Sequence, residues 1–372
     1  MRIGIDARIY GTWHGGIGRY AVKLIAELEK IDAKNEYFVF LDRQGFEAYI
    51  PQAPNFKKVL ADYRAYSFGE QFLLPVLLYR YNLDLVHFTH FNAPFGYFKP
   101  FVVTIHDLII TRYPDSRATT LPKWVYWLKV GLYKMLVKIV AHRAKKILTV
   151  SQFSAKDIEK YLGVKVEKIE VIYNGVDALP KSDMALAGEW KKQLGITKPF
   201  LFYVGSAYPH KNLEKLIDAM LLIKQHHDVQ LVLGGKKNYF YQQLQKYITD
   251  KNLTADVILV DYLNDEQLAK MYRLAQLYVF PSLIEGFGLP PLEAQASDCP
   301  VVASNYSCLP EVLGDSVVYF DPTKTEAIAQ AVNTVLADDT LREKLITLGK
   351  NNWPKYTWGR CAQEVLKVYL GK

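Results

Sequence analysis

The chain has 372 residues, of which half are hydrophobic and 23% charged, and 46 Lys and Arg against 38 Asp and Glu give a formal charge of +8. That length predicts two domains, and the apolar content excludes a disordered chain. The basic balance favours anionic partners (nucleic acid, an acidic membrane face or phosphate-bearing small molecules) beside a plain solubilising role. Three cysteines, Cys299, Cys308 and Cys361, with no C-x-x-C, argue against a disulfide framework or a zinc site and for a reducing compartment. No uncharged apolar run reaches the roughly 20 residues of a membrane span. Met1-Arg2-Ile3-Gly4-Ile5-Asp6 opens as a strand rather than a signal peptide, so a cytoplasmic location is expected.

Taken in chain order, the first strand runs into Gly11-Thr12-Trp13-His14-Gly15-Gly16-Ile17-Gly18. A helical pattern follows, with Ile17, Tyr20, Ala21, Leu24, Ile25 and Leu28 at three- and four-residue steps. Strand, glycine loop and helix can aim free backbone N–H groups at an anion, and can equally be a tight turn. The glycines do not spell G-x-G-x-x-G, which disfavours a nicotinamide site. Strands are predicted at 37–41, 85–88, 101–105, 146–150 and 169–173. Most are unbroken Val, Ile, Leu and Phe runs, as expected of parallel strands buried on both faces. His106 ends the 101–105 strand, at the edge where doubly wound sheets carry functional groups.

Residues 122–146 read as one long helix. At 100° per residue, Lys123, Lys134, Lys138, His142 and Lys145 share about a third of its circumference. Trp124, Tyr126, Trp127 and Tyr133 lie around the rest. Such a helix suits either an ordinary surface position or an anionic bilayer. Residues 179–198 break the alternation of strand and helix. They read as a linker between a first domain, 1–178, and a second, 199–356. Further strands are predicted at 200–204, 230–233, 257–260, 277–280 and 300–303, so the fold class is α/β with two Rossmann-like doubly wound domains. Ligands are then expected in a cleft at the strand ends.

Residues 281–293, Pro-Ser-Leu-Ile-Glu-Gly-Phe-Gly-Leu-Pro-Pro-Leu-Glu, are the most informative stretch. Pro290 and Pro291 suit the first turn of a helix, where a missing N–H costs little. Gly286, Phe287, Gly288 and Leu289 then offer N–H groups ahead of a positive helix end, a natural phosphate seat. Glu285 can accept hydrogen bonds from sugar hydroxyls, and Glu293, one turn inside, can reach a ribose diol.

This segment, continuing through Leu309-Pro310-Glu311-Val312, resembles the donor-binding motif of glycosyltransferase family 4. So do Gly15-Gly16-Ile17-Gly18-Arg19-Tyr20, Thr104-Ile105-His106-Asp107, Val150-Ser151-Gln152-Phe153-Ser154, Asn174-Gly175-Val176-Asp177 and Gly205-Ser206-Ala207-Tyr208-Pro209-His210-Lys211-Asn212. The resemblance spans nearly the whole chain. It implies the two-domain GT-B fold, with a C-terminal helix near 357–372 able to pack back on the first domain. It also implies retaining transfer from a nucleotide-sugar without a metal or other cofactor.

By the same resemblance Lys211 binds the donor phosphates, helped by Gly15, Gly16 and His210. Ser206 stands where family members often carry arginine, which leaves the clamp lighter in charge. His106 approaches the transferred sugar near its anomeric carbon, through its imidazole or its backbone carbonyl. Asp107 either orients it or caps the next turn. Tyr262 and Leu263 line the base pocket. Gly205 to Asn212 resembles bacterial mannosyltransferases of surface polysaccharide synthesis, lipopolysaccharide included, which favours GDP-mannose as donor. A UDP-sugar donor, a GT-B sugar-nucleotide epimerase and a non-catalytic sugar-binding protein are the alternatives. The acceptor is expected to be a saccharide, free or lipid-linked. Peripheral contact with an anionic membrane face through residues 122–146 is expected, and nucleic acid is not an expected partner.

Overall fold

Short apolar strands that bury both faces need helices on both sides, and a parallel order lets each connecting segment supply one. The computed structural model describes residues 1–64, 67–180 and 187–372 and resolves the chain into two such units. The first comprises Met1–Pro114, Pro122–Gly175 and Tyr356–Lys372, and the second Asp115–Leu121 and Val176–Lys355. Part of the 179–198 stretch, residues 181–186, lies outside the described residues, and a helix, Ala187–Gln193, occupies its middle.

The first unit holds seven parallel strands: β1 (Arg2–Asp6), β2 (Glu36–Leu41), β3 (Phe56–Leu60), β4 (Leu85–Phe88), β5 (Phe101–Thr104), β6 (Lys146–Thr149) and β7 (Ile169–Val171). Their order is β3-β2-β1-β4-β5-β6-β7. The second unit holds six: β8 (Phe200–Val204), β9 (Gln230–Gly234), β10 (Val257–Val260), β11 (Leu277–Phe280), β12 (Val301–Ser304) and β13 (Val318–Phe320), in the order β10-β9-β8-β11-β12-β13. Each sheet reverses direction of growth once, between β1 and β4 and between β8 and β11. At such a switch point flanking connections leave toward opposite faces and open a crevice.

Two strands are additional to those predicted, β3 and β13, the latter within the apolar run Val317-Val318-Tyr319-Phe320. Both are edge strands. In β3 only Phe56 and Val59 are buried while Lys57, Lys58 and Leu60 are more open, the charged pattern that keeps an edge from pairing onward. The predicted strands at 101–105, 146–150 and 169–173 end earlier, and the one at 300–303 is shifted to Val301–Ser304.

Period-two alternation splits the first unit's core between two faces. Val103 and Ile147 join Leu74, Leu78, Val137 and Val140 on one side. Val102 and Leu148 join Tyr20, Leu24 and Leu28 on the other, where the C-terminal helix Trp358–Tyr369 also inserts Trp358, Cys361, Val365 and Tyr369. The chain passes close to that helix's start at Gly175, where an added Cβ would lie 2.1 Å from the Trp358 backbone nitrogen. Only glycine fits there.

The helix predicted over 122–146 is shorter, Lys123–Arg143, so Lys145 falls outside it, in the turn before β6. Tyr133 is buried in the core, whereas Trp124, Trp127, Leu128, Leu132 and Met135 form an exposed apolar stripe. Lys123, Lys134, Lys138 and His142 are exposed along it. Among the described residues no helix is long and apolar enough to cross a membrane.

A buried polar chain ties the C-terminal helix to the sheet. The His87 imidazole lies between the Tyr369 hydroxyl (2.6 Å) and Thr104 Oγ1 (2.8 Å), and Tyr20 reaches the same Thr104 oxygen at 3.1 Å. Tyr369→Phe removes one buried partner and is expected to cost about 1–3 kcal/mol, read as a lower urea midpoint at unchanged slope. Burial also holds three histidines of this unit uncharged, His87 and His90 at about 3 and His106 at about 4. Unfolded imidazoles titrate near 6.5, so between about pH 6.5 and 4 the unfolded chain binds more protons. Stability present above pH 6.5 is therefore lost as pH falls through this window. Urea midpoints at pH 7.5 and pH 5 test this, and equal values would contradict it.

Candidate active site

In the second unit the switch point between β8 and β11 gathers the loops that follow these two strands. After β8 the chain turns at Gly205 and Ser206 and enters a short 3-10 turn, Pro209–Lys211, which stops at Asn212 in the left-handed conformation (φ +61°). After β11, residues 281–288 lead into the helix Leu289–Ala296, with proline in its first turn as the sequence predicts. Gly288 precedes it at φ +89°, a conformation glycine adopts without strain.

The two loops are stitched by backbone contacts. Leu283 N–H donates to the His210 carbonyl at 2.8 Å, and the Asn212 amide donates to the carbonyls of Pro281 (3.1 Å) and Pro322 (2.8 Å). The Glu285 N–H donates to Ser307 Oγ at 3.1 Å. Asn212 and Ser307 thus hold the site, although neither is an obvious chemical residue in the sequence.

Across this frame Lys211 Nζ donates to Glu285 Oε1 at 2.7 Å, with the side chains only 18% and 10% exposed. A pair this shielded from water is strong while intact and costly to leave half-filled. His210, beside it, is held uncharged: burial first and the Lys211 charge second push its imidazole down to about 4. It can therefore offer an anion a hydrogen bond but no charge, and Lys211 is the charged member of the pair. Ser206 is half-buried in the same turn. Gly286, Phe287 and Leu289 flank Gly288 at the helix start, where the first N–H groups have no intrahelical acceptor.

Glu293 is buried one turn into that helix, and the Tyr272 hydroxyl donates to its Oε2 at 3.4 Å. Leu263 approaches the floor of β9 near Gly234, whereas Tyr262 is 60% exposed and flanks a turn in which Asp261 Oδ1 accepts the Tyr262 and Lys237 N–H groups. Tyr262 and Leu263 follow β10 and Glu293 lies beyond β11, at the same edge of the sheet from which Lys211 and Glu285 extend.

In the first unit Gly15 and Gly16 are the first two residues of the helix Gly15–Ile31, both exposed, and Gly15 stands at φ +69° with open space where a side chain would be. Gly18 has the packing role: a Cβ there would meet the Gly11 carbonyl at 2.0 Å. The loop is thus both a tight turn and an exposed helix start.

His106 follows β5. Its Nε2 lies 3.1 Å from the Thr89 carbonyl, which can only accept, so Nε2 carries the proton and Nδ1 the lone pair. Its own carbonyl already accepts from Ser154 Oγ at 3.2 Å, and Tyr20 packs edge-on against the ring. Asp107 caps the next turn, its Oδ1 accepting from Ile109 N–H at 3.0 Å. The Ser151 to Ser154 motif is structural: Ser151 Oγ caps the helix Gln152–Leu162, and Ser154 fixes the His106 backbone.

Among the described residues no three His, Cys, Asp or Glu side chains cluster as metal ligands. The arrangement in the second unit is suited to a phosphate beside a hydroxyl-bearing group.

Comparison with known proteins agrees with this chemistry. Residues 14–178 match the family described as Glycosyltransferase Family 4, and residues 187–352 that described as Glycosyl transferases group 1. The chain is 28% identical, over 95% of both sequences, to O-antigen chain mannosyltransferase B of Escherichia coli. It is 29% identical to O-antigen chain mannosyltransferase RfbU of Salmonella typhimurium, over 73% of this chain and 70% of that one. Sucrose-phosphate synthase from Thermosynechococcus elongatus shares the fold, with a TM-score of 0.79 at 19% identity, covering 100% of this chain and 98% of that one. With two parallel-sheet Rossmann-like units and family matches over both, the protein belongs to glycosyltransferase family 4, has the GT-B fold, and is a glycosyltransferase.

Proposed function

We propose that the protein transfers a mannosyl group from GDP-mannose to a saccharide or lipid-linked saccharide, with retention and without a divalent cation. The observation that carries this reading is the shielded Lys211–Glu285 pair beside the proline-started helix. The mannose assignment is supported by the two O-antigen relatives, which are mannosyltransferases.

On donor binding Lys211 exchanges its carboxylate for the diphosphate. Glu285 is released by the same event and accepts hydroxyls of the sugar. The N–H groups of Gly286 to Leu289, with Ser206 and His210, complete the phosphate seat. Glu293 accepts the ribose diol, while Tyr262 and Leu263 border the base. These fixed donors stabilise the charge that grows on the leaving phosphate, the task a metal performs elsewhere. The acceptor hydroxyl attacks the face from which phosphate departs, and the departing phosphate oxygen takes its proton. His106 of the first unit is uncharged, and its Nδ1 is able to accept a hydrogen bond from a sugar hydroxyl.

We also propose peripheral contact with anionic lipid through the Lys123–Arg143 helix. Its exposed Trp124, Trp127 and Leu128 supply apolar contact, and Lys123, Lys134 and Lys138 supply charge.

Titration calorimetry is expected to show GDP binding at least about ten-fold more tightly than UDP, and Lys211→Met weakening GDP about ten- to hundred-fold. Preference for UDP overturns the mannose reading, and loss of turnover with a chelator overturns metal independence. For the membrane contact, the protein is expected to sediment with phosphatidylcholine vesicles only when phosphatidylglycerol is included. The combined Trp124→Ser and Trp127→Ser change should abolish that, and equal sedimentation of the variant counts against it.

A further inference from the structure

Three buried thiols are given no role by the proposed reaction. Cys361 packs in the first unit's core, and Cys299 points its Sγ at the carbonyl of the next residue, Pro300, at 3.6 Å. Cys308 differs. It lies in the segment after β12, 0% exposed, and its Sγ donates to the Glu285 carbonyl at 3.3 Å. Burial first, and the Glu285 and Glu311 charges after it, push this thiol well above its ordinary range, so it stays protonated and able to donate.

The neighbouring residue grips Glu285 from the other side. Ser307 Oγ accepts the Glu285 N–H at 3.1 Å. Ser307 itself stands in the left-handed region, at φ +59°, where a residue with a Cβ is uncommon. Next in the chain, Leu309 abuts the same loop: a Cβ on Gly288 would meet Leu309 Cδ2 at 2.9 Å. Three consecutive residues after β12 thus hold the loop that follows β11. Their own segment is tied down, since Tyr306 N–H donates to Ser304 Oγ at 3.1 Å and Asn305 N–H to the Phe320 carbonyl at 2.9 Å.

The N–H and the carbonyl of one residue belong to two different peptide planes. Each plane is rigid, so the backbone at Glu285 moves only through the two dihedrals between them. Holding both planes fixes both dihedrals, and with them the direction of the Cα–Cβ bond. The ion pair with Lys211 steadies the carboxylate only until an anion claims Lys211. The backbone clamp persists after that exchange and keeps the carboxylate where a hydroxyl can reach it.

We propose that Ser307 and Cys308 are positioning residues for the donor sugar: by fixing the Glu285 backbone they set how strongly the protein favours a nucleotide carrying a sugar over the same nucleotide without one. The inference rests on the reading of Glu285 as acceptor of the sugar's hydroxyls. Ser307 and Cys308 act through Glu285 and need no contact with the donor.

Titration calorimetry of GDP-mannose and GDP on the full chain tests this, the ratio of the two affinities being the quantity read. Cys308→Ala and Cys308→Ser remove the same sulfur, and only the second returns a donor. Ser307→Gly keeps the left-handed backbone without the hydroxyl, whereas Ser307→Asn tolerates that backbone and supplies an acceptor. Cys308→Ala and Ser307→Gly are each expected to lower the GDP-mannose to GDP ratio about three- to ten-fold, with GDP affinity within about two-fold of wild type. Cys308→Ser and Ser307→Asn should recover most of the loss. Should Cys308→Ala fail to fold, the Ser307 variants decide alone. Equal weakening of both ligands, an unchanged ratio, or no recovery in either rescuing variant overturns the proposal and leaves the donor reading standing. A wild type that binds UDP-glucose and UDP instead removes the mannose assignment alone, and the same ratio is then read with that pair. A wild type that binds neither pair removes the donor reading, and this inference with it.

Discussion

All strands within each sheet run the same way, and that single constraint places the chemistry. A parallel sheet delivers every carboxyl end to one edge, so residues far apart in sequence meet there without dedicated contacts. Lys211 and Glu285 are 74 residues apart yet share a hydrogen bond, because β8 and β11 are neighbours and both stop at the same level. Asp6 and Asn92 border one cavity for the same reason, through β1 and β4. A pair of antiparallel neighbours would have sent one member of each set to the opposite edge.

The loops that carry these groups are held by backbone and small polar side chains rather than by the reactive ones. Asn212 bridges two carbonyls, Ser307 fixes the Glu285 backbone and Ser154 fixes that of His106. Lys211 and Glu285 are thus free to exchange partners without dragging the frame. Breaking a shielded ion pair is costly unless both halves find new partners together. A ligand that carries an anion beside hydroxyls satisfies both at once, whereas a bare phosphate would leave the carboxylate unpaired. In the proposed role, the pair would favour the whole sugar nucleotide over inorganic phosphate.

Where the sequence was legible, it was because a residue type is demanded by the backbone itself. Pro290, Pro291 and Gly288 announce a helix start that the structure contains, and unbroken apolar runs announce the buried strands. The misreadings have physical sources. The edge strand β3 lacks the two-sided burial that makes a run apolar, and β13 is an apolar run of only three residues. Lys145 continues the periodicity of the 123–143 helix by coincidence, after the helix has ended. Among the glycines, spacing could not tell the exposed Gly15 and Gly16 from Gly18, whose requirement is set by the Gly11 carbonyl pressed against it. The cavity in the first unit was invisible, since Asp6, Arg8, Glu70 and Asn92 form no local pattern and Arg8 reads as one more surface charge.

Charge is distributed differently in the two units, and the difference follows from what each crevice leaves unpaired. Around Lys211 one cation meets one carboxylate, and the helix start adds partial positive charge, so displacement of Glu285 leaves a net attraction for an anion. Around Arg8 two carboxylates meet one cation, so an anion there must compete with both. Burial holds His106 and His90 in the first unit and His210 in the second uncharged, so these three imidazoles add no positive charge.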